Sequence, residues 1–506
     1  MRRRDCIELG DRTVSIADVV DVARNDARVR LAASVVPRLA RARAVVDRLA
    51  SGDRAVYGLN TGLGAAVDTA LAQDDIADFQ RRAVMARAVG VGDFLATDEV
   101  RAALFVRLAG IARGASGLSP AFAAVIRDML DARVHPRVRR IGTLGEADLA
   151  PMAQLFLPLV GEGEAEFRGE IMPGGEALRR AHISCPPFAP KDGIALLNAN
   201  AFSVGLAALA HHDAELALEA LTAAGALSLE GFRANLSPLD PRVSALRAAP
   251  GQLDGSRRLL ALLEGSDLIG SAAARRVQDP LSFRCLAPVL GAAFDQLERA
   301  GAAIDADLNG AGDSPAVLVD DGDMLSTVNF DTTALALAFE GLGLALSHAA
   351  AIAVFRIAKL MSPAFSDLPR FLTRHGGSRT GFATVQKTAS ALEAEIRHLA
   401  SPLGPMTAPV ADGAEDYAPM TPRIVEKTGD IVRRLRLLAA VELVVAAQAV
   451  DLRGDIRLGA GTRRVHAWVR DHVAMLDEDR PTGPDFERIA EAVAAGHLRD
   501  ALMAIP

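Results

Sequence analysis

The chain has 506 residues and a net charge of -7; half of its residues are hydrophobic and only 4% are aromatic. That length allows a large buried core and more than one domain, and the acidic balance argues against a nucleic-acid partner. Three widely separated cysteines, Cys6, Cys185 and Cys285, show no metal-ligand spacing, and their odd number suits a reducing cytoplasm.

Met1-Arg-Arg-Arg4 is basic, but Asp5 and Glu8 interrupt it and no apolar run follows, so it does not read as a signal peptide. Residues 15–49 form an amphipathic helical region, N-capped by Ser15 and closed by Gly52. Residues 60–64 make a glycine-rich turn. Helical periodicity returns over 74–88 and 97–111, and Ser119-Pro120 opens a helix running to about Arg133. Residues 136–190 are rich in glycine, proline and charge, with a short strand pair expected near 166–172. Long helices dominate from Lys191 onward: about 192–227, part of 265–291, 332–361, 386–399 and 422–451. The most apolar stretches carry Glu340, His348, Arg356 and Glu442, so none reads as an unbroken membrane span. Helices apolar over so wide an arc suit the central bundle of a large α protein and predict burial in an oligomer. The division expected is a loop-bearing N-terminal domain, 1–190, and a long-helix bundle, 191–506.

Candidate chemistry is sparse. Tyr57 and Tyr417 are the only tyrosines, and both lie in Gly/Pro/Asp-rich segments. Tyr57, in a flexible turn, could act as a base if cations or hydrogen bonds favour its ionised form, and it could equally be a partly buried structural residue. Arg284 could clamp a carboxylate or form a structural ion pair. Lys387 either faces solvent or points into a pocket, and Glu415-Asp416 alone is an ordinary acid pair. The histidines, His211-His212 included, have no metal-ligand spacing, and no metal is expected.

The order of these segments is more specific than any one of them. Tyr57-Gly-Leu-Asn-Thr-Gly-Leu-Gly64, Gly142-Thr-Leu-Gly-Glu-Ala-Asp-Leu-Ala-Pro151, Lys191-Asp-Gly-Ile-Ala-Leu-Leu-Asn198, Val277-Gln-Asp-Pro-Leu-Ser-Phe-Arg-Cys285, Asn329-Phe330 and Glu415-Asp416 follow one another as in the histidine/phenylalanine ammonia-lyase family, which the chain resembles over about residues 10–460. The resemblance implies a mainly α fold with a long central helix bundle. It also implies a homotetramer with sites shared among subunits, Tyr57 as catalytic base, and Asn198, Gln278, Arg284 and Phe330 around the substrate. In the family the loop reads Gly-Ser-Val-Gly-Ala-Ser-Gly-Asp-Leu-Ala-Pro, and its Ala-Ser-Gly cyclises into a methylidene-imidazolone that captures the substrate's amine. Here Glu146-Ala147 stands in place of those three residues, so no cofactor is expected. Arg87, Leu281, Asp331, Ala414 and Tyr417 also depart from the histidine ammonia-lyase pattern.

A quaternary amine needs no such capture. With Lys387 ahead of the Glu415 motif, the chain resembles the family's cofactor-free ergothionase branch. The expected reaction is therefore elimination of trimethylamine from the small-molecule betaine ergothioneine to give thiourocanate. Tyr57 would be the base, Lys387 would act on the thione ring, Glu415 would hold Lys387 or the ring N–H, and Phe330 and Leu281 would pack the trimethylammonium. The alternatives are a lyase for another trimethylammonium betaine such as hercynine, and an inactive paralogue with a structural role. No nucleic acid or membrane partner is expected.

Overall fold

The computed structural model describes residues 4–52, 54–72, 75–269 and 274–503. The first three residues of the basic N-terminal run, the expected helix start at Asp74, and 270–273 of the 265–291 region lie outside them. The chain is mainly α-helical, as expected, with only short strands. It forms two compact units that interleave along the sequence. Unit 1 comprises Met1–His212, Gly301–Leu337 and Leu403–Glu426, and unit 2 comprises Asp213–Ala300, Ala338–Pro402 and Lys427–Pro506.

Unit 1 opens with strand Cys6–Leu9 parallel to Arg28–Leu31. Between them, Ser15 caps helix Ile16–Arg24 in a reciprocal box: its hydroxyl accepts from the Asp18 N–H at 3.3 Å, and Asp18 accepts from the Ser15 N–H at 2.9 Å. The single helical region expected over 15–49 is therefore two helices, Ile16–Arg24 and Val35–Ala50, parted by a strand. Arg28-Val-Arg-Leu31 alternates polar and apolar residues with period two, which suits a strand with one buried face. Helices Ile76–Arg87, Thr97–Ala112 and Pro120–Ala132 follow, the last with its proline at the first turn. The strand pair near 166–172 is Glu164–Phe167 and Glu170–Pro173, joined by Val134–Pro136 into a three-stranded antiparallel sheet.

The region expected as one helix over 192–227 is broken at Asn198. Asp192–Leu197 ends there, and Ala201–Phe232 then runs for 32 residues. Further long helices after it are Leu286–Asn309, Thr333–Leu360, Val385–Leu399 and Thr421–Arg453. In unit 2, every residue from Leu438 to Val450 is buried, which explains a helix apolar on all sides. Gly231 lets two helices close on each other, because a Cβ there would lie 2.9 Å from that of Ala449. Among the described residues, two helical stretches are long and apolar enough to cross a membrane: Asp192–Phe232, whose most apolar part is wholly buried, and Thr333–Leu360. Charges within the apolar helices are built in: Arg356 Nε and Nη2 meet the Glu442 carboxylate at 2.6 and 2.8 Å with both side chains fully buried.

Candidate active site

Unit 1 brings Tyr57, Arg87, Glu146 and Glu415 together. Tyr57 sits in a turn knitted by Asn60, whose Oδ1 accepts from the Val56 N–H at 2.7 Å and whose amide donates to the Arg54 carbonyl at 2.9 Å. The Gly64 N–H donates to the Tyr57 phenol oxygen at 3.3 Å. Arg87 is the last residue of helix Ile76–Arg87. Burial lowers its pKa, and the nearby Tyr57 and Glu415 oppose that shift. One of its amines donates to the Ala83 carbonyl at 3.3 Å. A positive charge therefore faces both the phenol and the Glu415 carboxyl.

The loop Gly142–Pro151 is held from behind. Asp148 is buried and accepts from the Ser203 N–H at 2.8 Å, the Ser203 hydroxyl at 2.9 Å and the Thr143 hydroxyl at 3.3 Å. Burial outweighs these bonds and raises its carboxyl to about 6. The Asp148 N–H donates to the Ala199 carbonyl at 3.0 Å, and the Met420 N–H donates to the Leu144 carbonyl at 2.9 Å. Gly145, at φ +101, could not carry a side chain without strain. These anchors turn Glu146 towards Glu415. Burial first, then the Glu415 carboxyl and Asp416, push Glu146 up to about 7. Its Oε1 is buried and receives no donor, so a hydrogen bond across to Glu415 requires a proton on one of the two.

Asn198 ends helix Asp192–Leu197, and its amide donates to the Ser314 carbonyl. The conformation before it is set by Lys191 and Asp192. The Lys191 amine, buried and lowered to about 8 by that burial, donates to the Ser116 carbonyl. Asp192 accepts from the Ser119 N–H and hydroxyl, each at 2.8 Å, and pairs with Arg43 at 3.2 Å. The Lys-Asp pair of this motif thus serves as scaffold. Phe330 is tied through its carbonyl to the Asn200 amide. Asp331 accepts from the Thr333 N–H at 3.1 Å and hydroxyl at 3.0 Å, and that hydroxyl also meets Tyr417 Oη at 2.7 Å. These two departures from the family pattern therefore secure the start of helix Thr333–Leu360.

Unit 2 carries Gln278, Arg284 and Lys387. Asp279 accepts from the Asn235 N–H at 2.6 Å, and the Asn235 amide donates to the Val277 carbonyl at 2.7 Å. Buried Arg356 donates to the Ser282 carbonyl at 3.2 Å. The segment is thereby fixed while Gln278 is exposed and Arg284, ending the short helix Leu281–Arg284, is half-buried. Leu281, expected to pack the substrate, is 64% exposed. Lys387 lies exposed in the first turn of helix Val385–Leu399. The roles of Arg87 and Glu146 escaped the sequence reading. The only signal was that both occupy positions where the family pattern is broken.

The model of the aromatic amino acid lyase family matches residues 14–471. The chain belongs to that family. It is 37% identical to a histidine ammonia-lyase of Symbiobacterium thermophilum, covering 99% of each protein, and 35% identical to one of Myxococcus xanthus, covering 96% of each. Among solved structures it resembles ergothionase from Treponema denticola, in complex with desmethyl-ergothioneine sulfonic acid. That match has a TM-score of 0.92 and 30% identity over 99% of this chain and 100% of that one.

These relatives overturn one expectation. Trimethylamine elimination from ergothioneine does not stand as the function, because the curated relatives, 34–37% identical over nearly the whole chain, are named histidine ammonia-lyase. Ergothionase enters only as a structural neighbour of lower identity. The expectation took the substrate from the altered loop 142–151 and one lysine, Lys387, which is exposed in unit 2. The enzyme is a carbon–nitrogen lyase of the aromatic amino acid lyase family. Loop 142–151 does not fit the family's methylidene-imidazolone: it holds no serine to dehydrate, and no glycine nitrogen follows Glu146 to close the ring.

Proposed function

We propose that the enzyme removes the α-amine of an aromatic α-amino acid of the histidine kind, with Tyr57 as base and without covalent capture of the amine. The Tyr57 oxygen takes a proton from the substrate's β-carbon. The C–H electron pair becomes the new double bond, and the C–N pair leaves on nitrogen. The observation that carries this reading is the approach of the Arg87 guanidinium to Tyr57 and Glu415, which sets a positive charge beside the oxygen that carries the negative charge of an ionised base. Arg284 is assigned the substrate carboxylate and Gln278 and Asn198 its orientation; Phe330 is assigned the aromatic ring, and Lys387 the ring nitrogen. A homotetramer is part of the reading: Val277, 90% exposed, and Leu281 leave an apolar edge beside Arg284 that a second copy would cover.

The test is to incubate the full-length protein with histidine and other aromatic amino acids, following ammonia release and the absorbance of a conjugated product. Release from one of them, abolished in Tyr57→Phe, supports the proposal; release from none refutes it. Intact-mass measurement addresses the cofactor separately. A mass equal to that of the sequence is expected, and loss of two waters would mean that a backbone electrophile forms after all.

A further inference from the structure

We propose that Glu146 is a catalytic residue: it holds one proton jointly with Glu415 and hands it to the departing amine. This rests on the lyase reading above and names the group that takes over at the position of the missing electrophile.

The geometry has three parts. Glu146 belongs to the loop that faces substrate in this family, and its side chain meets the Glu415 carboxyl directly. Its buried Oε1 has no donor, so two ionised carboxylates there would repel each other without compensation. Arg87 faces Glu415 and Tyr57, and the groups that act most on Glu146 besides its burial are the carboxyls of Glu415 and Asp416. The arrangement therefore favours a single shared proton, with Glu146 as its holder. The neighbouring Asp148 is a separate group, since it turns into Ser203 and Thr143.

The step balances. Tyr57, ionised, takes the β-proton as the C–N bond of the neutral amine breaks, and the shared proton of the Glu146–Glu415 pair moves to the departing nitrogen, which leaves as neutral ammonia with the bonding pair. The proton now on Tyr57 then restores the pair. The proton lost from carbon ends on nitrogen, and no oxidant, reductant or second reactant is consumed.

The charged groups around the pair are Asp416 on the strand of chain that carries Glu415, Arg87 from helix Ile76–Arg87, and Tyr57 beside Arg87. Deprotonation of the pair near pH 7 should therefore produce an alkaline fall in kcat/KM in the wild type. Glu146→Gln should lower turnover about 100-fold at pH 6 and abolish that fall, whereas Glu146→Asp should retain it. A Glu146→Gln variant with wild-type turnover and an unchanged pH profile would overturn the proposal.

A second readout needs no substrate. The infrared difference spectrum between about pH 6 and 8 should contain, beside the contributions of Asp148 and Asp307, a protonated-carboxyl band that is absent in Glu146→Gln. If the wild-type protein releases amine from no amino acid, that failure falls on the lyase reading. The infrared band then decides the shared proton alone: its loss in Glu146→Gln supports the pair, and its persistence overturns it.

Discussion

Two glutamates in this molecule, one fully buried and one half-buried, have opposite surroundings. Glu442, in unit 2, is enclosed by the Arg356 guanidinium fork and by the Ser228 hydroxyl at 2.8 Å, so each of its oxygens has a donor. Glu146, in unit 1, faces another carboxyl and leaves an oxygen without a donor. Burial acts on both, but only one is compensated. The paired charge fixes the helices behind the Arg284 segment. The unpaired one lies at the loop where the chain departs most from its family. Charge matched at every oxygen builds scaffold, and charge left unmatched is available for proton transfer.

The sharpest probe of that contrast is Tyr57→Phe, which removes the proposed base and spares the scaffold. Turnover should fall by about 10²–10⁴-fold while the melting temperature stays near that of the wild type. A fall in melting temperature of similar severity would make Tyr57 a structural residue. Arg356→Met should do the converse, leaving Glu442 uncompensated and destabilising the fold by about 3–5 kcal/mol in urea titration. Near-wild-type stability would mean that Glu442 finds another partner.

Glu146 should reveal its lack of compensation in the pH dependence of stability. A carboxyl raised from 4.5 to about 7 in the folded state binds its proton more tightly there than in the unfolded chain. Its stabilising contribution is complete below about pH 4.5 and is lost as the pH rises through 7. Glu146→Gln should therefore be more stable than the wild type at pH 8 by on the order of 1 kcal/mol, after discounting for solvent screening, with the difference shrinking at pH 5. An equal difference at both pH values would remove the carboxyl's charge as the cause. The smallest effect on folding should come from Lys387→Ala: being exposed, it should alter the unfolding free energy by no more than about 0.5 kcal/mol. A larger loss would mean that its amine is engaged in the fold.

What could be read from the sequence follows the range of the interactions involved. The Ser15 cap and the Pro120 helix start are short-range signals, and both recur in the structure. The strand Arg28–Leu31 was lost between two stronger helical patterns, and its partner Cys6–Leu9 precedes a helix. The family's ordered motifs disclosed the fold because each carries several residues in fixed spacing. The meeting of Glu146 with Glu415, and of Arg87 with Tyr57, depends on packing between distant segments and has no local signature. The substrate was read too far, from an absence in one loop.

The anchoring of loop 142–151 has a consequence for the history of the site. Leu144 and Asp148 are both held by backbone hydrogen bonds, to Met420 and Ala199, and between Gly145 and Asp148 there are two residues where the family pattern has three. No succession of point mutations at constant length can rebuild the Ala-Ser-Gly sequence there. A return requires insertion of a codon, and the extra residue has to be accommodated between two fixed points. Substitutions alone can change only the side chains at positions 146 and 147, whereas a variant that carries the family's triad needs a longer loop.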